Sequence, residues 1–216
     1  MRELIKVGAD VHAVIKNGWS VLMVAAVQGH ARTVAVLLEH GADPNFQVAS
    51  SSGDDSGLTP LMLTAASRQD NDCTSLLLQN KADVNTKCDG GLDALMIAAR
   101  HGLTDTVEML LQTGADYKRA RPGGATALMD AASCGQEAVL NMLIAWAKEH
   151  PKGPIDLDAV DEDGCTALMH ASRNSYENAM LPLLQGGAHV TLKDNDGRTA
   201  LAQAASYQAA TRLLSS

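Results

Sequence analysis

Apolar residues in this chain arrive in short bursts that recur at a fixed interval. Each burst follows Ser, Thr or Asp: Ser20-Val21-Leu22-Met23, Thr59-Pro60-Leu61-Met62, Asp93-Ala94-Leu95-Met96, Thr126-Ala127-Leu128-Met129, Thr166-Ala167-Leu168-Met169 and Thr199-Ala200-Leu201-Ala202. The steps between bursts are 39, 34, 33, 40 and 33 residues, a base period of 33 with insertions. A second phrase falls between them: Gly8-Ala9-Asp10, Gly41-Ala42-Asp43, Lys81-Ala82-Asp83, Gly114-Ala115-Asp116 and Gly187-Ala188-His189. Self-similarity at this period marks stacked supersecondary units, each too small to bury its own apolar face.

The residue types predict the local structure of one unit. A Ser or Thr before an apolar run caps a first helix through its hydroxyl, and Asp93 is its chemical equivalent. Alanine pairs (Ala25-Ala26, Ala98-Ala99, Ala131-Ala132) let neighbouring helices approach closely. The pairs Leu37-Leu38, Leu77-Leu78, Leu110-Leu111 and Leu183-Leu184 end a second helix and are expected to bury against the next unit. The Gly that follows (Gly41, Gly114, Gly187) suits a left-handed helix terminus. Gly18, Gly57, Gly91, Gly124, Gly164 and Gly197 mark the turn leading into the next unit.

These phrases resemble the ankyrin repeat, about 33 residues with a Thr-Pro-Leu-His-x-Ala-Ala core. The resemblance covers essentially the whole chain. It implies an all-α solenoid of helix-turn-helix units with β-hairpin or turn fingers, about six repeats including partial terminal ones. The divisions expected are a partial repeat at 1–13, repeats near 14–45, 46–85, 86–118, 119–158 and 159–191, and an abbreviated capping repeat at 192–216, all within a single domain. Several positions depart from the pattern. Met replaces the family's His in five of the six bursts, Lys81 replaces a terminal Gly, and His189 replaces the finger Asp. Pro182 falls inside a second helix, where it is expected to kink or shorten it.

The insertion around Val48 to Asp55 is small and polar and reads as a lengthened, mobile finger. The one around Trp146 to Pro154 extends a second helix up to a Pro/Gly break, with Trp146 in a structural role. At the start, Leu4, Ile5 and Val7 are expected to present an uncovered inner face, which points to a piece of a longer protein or to a covering partner. Gln208 to Leu214 reads as a two-turn cap.

Composition narrows the function. Aromatic residues are only 3% of the chain, so Leu, Ala, Val and nine Met must build a thin core. A net charge of −8 opposes binding to phosphate backbones, so no nucleic-acid partner is expected. The basic run Lys118, Arg119 and Arg121 reads as a solvated tip. Cys73, Cys88, Cys134 and Cys165 form neither a zinc pattern nor a disulfide framework and fit a reducing cytoplasm or nucleus. The N-terminus shows no signal-peptide core, and no apolar run is long enough to span a bilayer, so membrane insertion is not expected. No nucleophile elbow, Walker loop, zincin helix or dinucleotide fingerprint appears. Cys134, Cys165 and His170 come from adjacent units but lack a fourth metal ligand. Asp130 and His170 hold equivalent positions and are expected to be neighbours, as a surface ion pair. No catalytic, cofactor or metal site is predicted, and no small-molecule substrate is expected.

The resemblance implies binding through finger tips and the concave face of the first helices. Carried over by position, it gives Val24, Leu63, Ile97, Asp130, His170 and Gln203 within the first helices. Just before the capping residue it gives Trp19, Leu58, Leu92, Ala125, Cys165 and Arg198, and at the helix ends it includes Val27 and Arg173. The expected partner-binding strip is therefore Trp19, Val24, Val27, Leu58, Leu63, Leu92 and Ile97, apolar, followed by polar Asp130, His170 and Arg173. Packing of some of these residues against neighbouring fingers is the competing reading. The function implied is a monomeric scaffold, adaptor or targeting module for a protein partner. The second reading is a regulatory or substrate-docking region of a larger enzyme or ligase.

Overall fold

The computed structural model describes residues 3, 7–49, 56–67, 71–150 and 153–205. Among them the helices come in pairs. These are α1 (Val21–Val27) with α2 (Ala31–Glu39), α3 (Pro60–Ala65) with α4 (Asp72–Gln79), α5 (Ala94–His101) with α6 (Thr104–Gln112), α7 (Ala127–Ser133) with α8 (Glu137–Glu149), and α9 (Ala167–Arg173) with α10 (Glu177–Gly186). A further helical stretch covers 200–205. Contacts divide the chain into two compact units, Met1–Ile97 with Glu108–Ala115, and Ala98–Val107 with Asp116–Ser216. Within the first, α1 packs on α2 and α3, and α2 on α4. Within the second, α7 packs on α8 and α9, and α8 on α10.

The capping expectation holds in atomic detail. Ser20, Thr59, Thr126 and Thr166 each accept, through the hydroxyl, the backbone N–H of the Met three residues on, at 3.3 Å. Asp93 does the same for Met96 with a carboxylate oxygen at 3.0 Å. The five Met side chains so placed are all buried, at most 2% exposed. An unbranched thioether fills the seam between first helices where the family pattern has an imidazole. The second helices close as expected too. Ala42, Ala82, Ala115 and Ala188 donate N–H to the carbonyls of Leu37, Leu77, Leu110 and Leu183 at 2.9–3.0 Å. This six-to-one closure needs a left-handed residue just before the alanine. Lys81 supplies it with φ +66°, accepting a strain that Gly avoids.

Between repeats the chain makes fingers, which among the described residues are turns pinned by single antiparallel bridges, Val14 to Ser20 and Ala120 to Thr126. Adjacent fingers touch through their backbones. Asp89 donates its N–H to Ser56 O at 3.2 Å, Glu162 to Gly123 O at 2.8 Å and Asn195 to Asp163 O at 3.0 Å. That approach leaves no room for a side chain at Gly57, where a Cβ would sit 2.7 Å from the backbone nitrogen of Asp89. Side chains add rungs. Asn45 donates to Lys81 O and accepts the N–H of Asp83 at 2.7 Å. In the second unit Asp158 holds the corresponding place, accepting the N–H of His189 at 2.9 Å and pairing with its ring. The His at the finger position is thus matched by an Asp where Asn45 stands earlier.

Four expectations are corrected. Pro182 does not shorten its helix, since α10 runs through it to Gly186. The bond it forfeits is to the carbonyl of Asn178, an exposed residue in the first turn. Val48 is no part of a solvated finger. It is buried, donates its N–H to Leu58 O at 3.0 Å and accepts that of Gly57 at 2.8 Å. Leu184 is 45% exposed whereas Leu183 is fully buried. Helical geometry turns adjacent residues to different faces, so only the first Leu of this pair reaches the core. The basic run is not all solvated, because Arg121 pairs with Asp130. The extended helix is α8, at 13 residues, and Trp146 stacks on His150 at its end with ring centroids 3.7 Å apart. Leu4, Ile5 and the Gln208 to Leu214 cap lie outside the described residues, as do 50–55 of the first insertion.

Two measurements test this account. Gly41→Ala meets open space at φ +87°, so denaturant melts should show a loss of only about 1–2 kcal/mol. Gly57→Ala, strained and also in collision, should lose about 1–3 kcal/mol more; equal losses would refute the close approach of the fingers. The Asp158–His189 contact predicts a pH window. Hydrogen bonding and charge from Asp158 raise the His189 pKa above 6.5. Burial alone would raise Asp158, but the ring and N–H of His189 hold it below 3.8. The rung is therefore complete between those ordinary values. It fades as pH rises through the raised value of His189, or falls through the lowered value of Asp158. In an NMR titration the His189 midpoint should drop on Asp158→Asn; an unmoved midpoint counts against the rung.

Candidate functional site

Three positions recur in every repeat around the turn, or corner, from finger to first helix. One lies at the finger base: Ile15, Val48, Cys88, Arg121, Asp161 and Asp194. One lies in the helix: Val24, Leu63, Ile97, Asp130, His170 and Gln203. The third precedes the cap: Trp19, Leu58, Leu92, Ala125, Cys165 and Arg198. Finger-base and helix residues are nine apart except for Val48 and Leu63, which the insertion separates by fifteen.

In the first unit these corners are apolar. Met23, Val48 and Leu63 form a buried cluster, with Trp19, Val27, Phe46 and Leu58 packed against it. Trp19, Val27, Leu58 and Leu63 of the predicted strip are thus brought together, and they serve as packing. Leu63 is only 7% exposed, while Trp19, Val24, Val27, Leu58, Leu92 and Ile97 are half-buried. Beside Trp19 the finger carries two open apolar groups, Val14 and Ile15, 50% and 46% exposed, which the sequence did not single out.

In the second unit the same corners are polar, and each closes across nine residues. His170 Nε2 bonds Asp161 Oδ2 at 2.7 Å, and Gln203 Nε2 donates to Asp194 Oδ2 at 2.8 Å. Arg121 Nη2 reaches Asp130 Oδ1 at 3.4 Å, the same pairing with donor and acceptor exchanged. His170 therefore turns to the Asp of its own finger and makes no bond to Asp130. Arg173 joins two repeats, donating from Nε to Gln203 Oε1 at 2.9 Å and from Nη2 to Cys165 Sγ at 3.0 Å. Among the described residues no group of three or more His, Cys, Asp or Glu side chains is placed to hold a metal ion.

Two buried carboxylates show how donors decide the electrostatics. Burial pushes Asp194 up, yet it ends below the usual carboxylate range, because the N–H and guanidinium of Arg198 and the amide of Gln203 all bond it. Asp130 is pushed up by burial, and the charges of Arg121, Arg100 and His170 only partly pull it back. It has one long bond, and its Oδ2 has no partner, nor has Arg121 Nε.

The signal that could have found the polar corners is the nine-residue spacing, at which Arg121 and Asp130, Asp161 and His170, and Asp194 and Gln203 are each a complementary pair. Because Leu63 sits in the buried cluster, Leu63→Ala should cost about 2–5 kcal/mol in a urea melt. A loss below about 1 kcal/mol would mean the residue faces outward after all.

Comparison with known proteins agrees with this geometry. A family model described as "Ankyrin repeats (3 copies)" matches residues 46–121, 64–154, 118–194 and 148–216, and a single-repeat model matches 17–48. The protein "Ankyrin repeat, SAM and basic leucine zipper domain-containing protein 1" of Pongo abelii is 33% identical over 109 residues, 48% of this chain and 21% of that protein. Its Mus musculus counterpart is 34% identical over 108 residues, with the same coverage. The match thus spans about a fifth of the length of these curated relatives. The crystal structure of the human ASB11 ankyrin repeat domain superposes with a TM-score of 0.80 at 25% identity, covering 98% of this chain and 90% of that one.

Proposed function

We propose, since the chain belongs to the ankyrin-repeat family, that it is a scaffold or adaptor module holding a partner protein on its finger tips and first-helix faces. Ankyrin repeats generally mediate protein–protein interaction and are typically not catalytic. One observation supports the reading most directly. At the helix position of the corner the fold accepts Val24, Leu63 and Ile97, yet the second unit carries Asp130, His170 and Gln203 there. Aliphatic side chains meet the folding requirement at these places in other repeats, which supports a recognition role for the polar ones, His170 being the least buried of the three. In the first unit the contact surface is the open edge of the apolar corner, Ile15 and Val14 beside Trp19. A reducing compartment such as the cytoplasm fits four cysteines in neither a zinc pattern nor a dense disulfide framework, and no helix of the described residues is long and apolar enough to cross a membrane. A monomeric state completes the proposal.

The names of the relatives put ankyrin repeats together with SAM and basic leucine zipper domains, which favours a second reading as the docking segment of a longer polypeptide.

Capture from an extract of the source cells tests the proposal. Wild type should retain a specific protein that is lost, at least tenfold, by Ile15→Glu or Arg173→Ala, each shown folded by circular dichroism. A second-helix control, Gln79→Glu, should retain it. Undiminished retention by both face variants would remove these faces from the function.

A further inference from the structure

The corner formed by Arg121 and Asp130 is built like its neighbours but left incomplete. Asp161 and Asp194 each accept several bonds, including one from the helix residue nine positions on. Asp130, with its side chain only 4% exposed, has the 3.4 Å contact from Arg121 Nη2, long for a charge-assisted bond. Its Oδ2 and the Nε of Arg121 are both buried and without a partner. A buried donor or acceptor left unmet costs a folded protein about 1–3 kcal/mol. One ion pair thus carries both an idle acceptor and an idle donor.

We propose that this corner is where the second unit reads its partner, and that the group it takes is a primary carboxamide, the side chain of Asn or Gln. The carboxamide oxygen accepts from Arg121 Nε, and its NH2 donates to Asp130 Oδ2. Charge selects among the alternatives. Arg121, Arg100 and His170 already bear on Asp130, so an incoming cation meets repulsion. An incoming carboxylate supplies an acceptor but leaves Oδ2 unmet and adds a second negative charge beside it. A neutral group with one donor and one acceptor answers both needs. Each of the two atoms exposes less than 1 Å². Entry is through Arg121, whose side chain is 31% exposed and held to Asp130 by that single long contact. The inference rests on the protein-binding reading, and it adds the chemistry of the residue recognised.

Two measurements on the whole chain decide it. Replacing both partners, Arg121→Leu with Asp130→Leu, should raise the melting temperature by several degrees, since other repeats hold Val48 with Leu63 at these two places. A fall would show that the pair stabilises the free protein and would overturn the proposal. Propionamide is then titrated while the Arg121 Nε–H resonance is followed by NMR, with propionate as comparator. Wild type should show a saturable shift with propionamide, at least tenfold weaker with propionate. The shift should also weaken tenfold in Asp130→Asn, which keeps the side-chain shape but turns an acceptor into a donor. No saturable shift, or an equal response from propionate or from Asp130→Asn, overturns the proposal. Because no protein partner enters this experiment, its failure leaves the capture result standing, and failed capture leaves this one interpretable.

Discussion

A helix of seven residues has too little apolar surface to hold itself in place, and almost everything in this molecule answers to that shortage. Most first helices here have six to eight residues, well below the length at which a helix persists alone in water. Their stability comes from buried Met, Leu and Ala, through which α1 packs on α3 and α7 on α9. Small residues are essential to that layer. Ala25, Ala98, Ala131 and Ala171 are at most 5% exposed, and a larger side chain there would force adjacent helices apart. The scarcity of aromatics follows, because a thin seam between close helices has no space for rings.

Close helices also bring the fingers close, and there the backbone itself becomes the adhesive. Carbonyls and N–H groups of neighbouring turns bond directly, and Asn45, Gln136, Asn174 and Asn195 bond the carbonyls of the adjoining repeat. The corner residues sit just inside this lattice. Where they are aliphatic they extend the core outward, and where they are polar they close in pairs. Both solutions occur in the same fold, aliphatic at Val24, Leu63 and Ile97 and polar at Asp130, His170 and Gln203.

The fold was almost wholly legible in the sequence. A capping hydroxyl, an apolar run, an alanine pair and a left-handed terminus recur in fixed order, and each has one physical use. The capping exchange at Asp93 and the strained terminus at Lys81 were legible for the same reason. The corner residues were legible by position but not by burial. The sequence leaves open whether Leu63 and Trp19 face a partner or pack under a finger, because the insertion hides the nine-residue spacing that would pair Val48 with Leu63. Arg121 looked like one charge of a solvated run. Its neighbours in sequence, Lys118 and Arg119, say nothing of the Asp130 that it meets after the chain has turned.

Val48 has a consequence for how such a chain can change length. Its N–H and C=O are clamped to Leu58 and Gly57, so a segment added between these residues would begin and end on a closed base. Closing a loop grows dearer only slowly as residues are added, by about 0.6 kcal/mol for each doubling. A foreign segment grafted between Val48 and Gly57 should thus be displayed at modest thermodynamic penalty, which makes this base a natural point for inserting an epitope or a reporter.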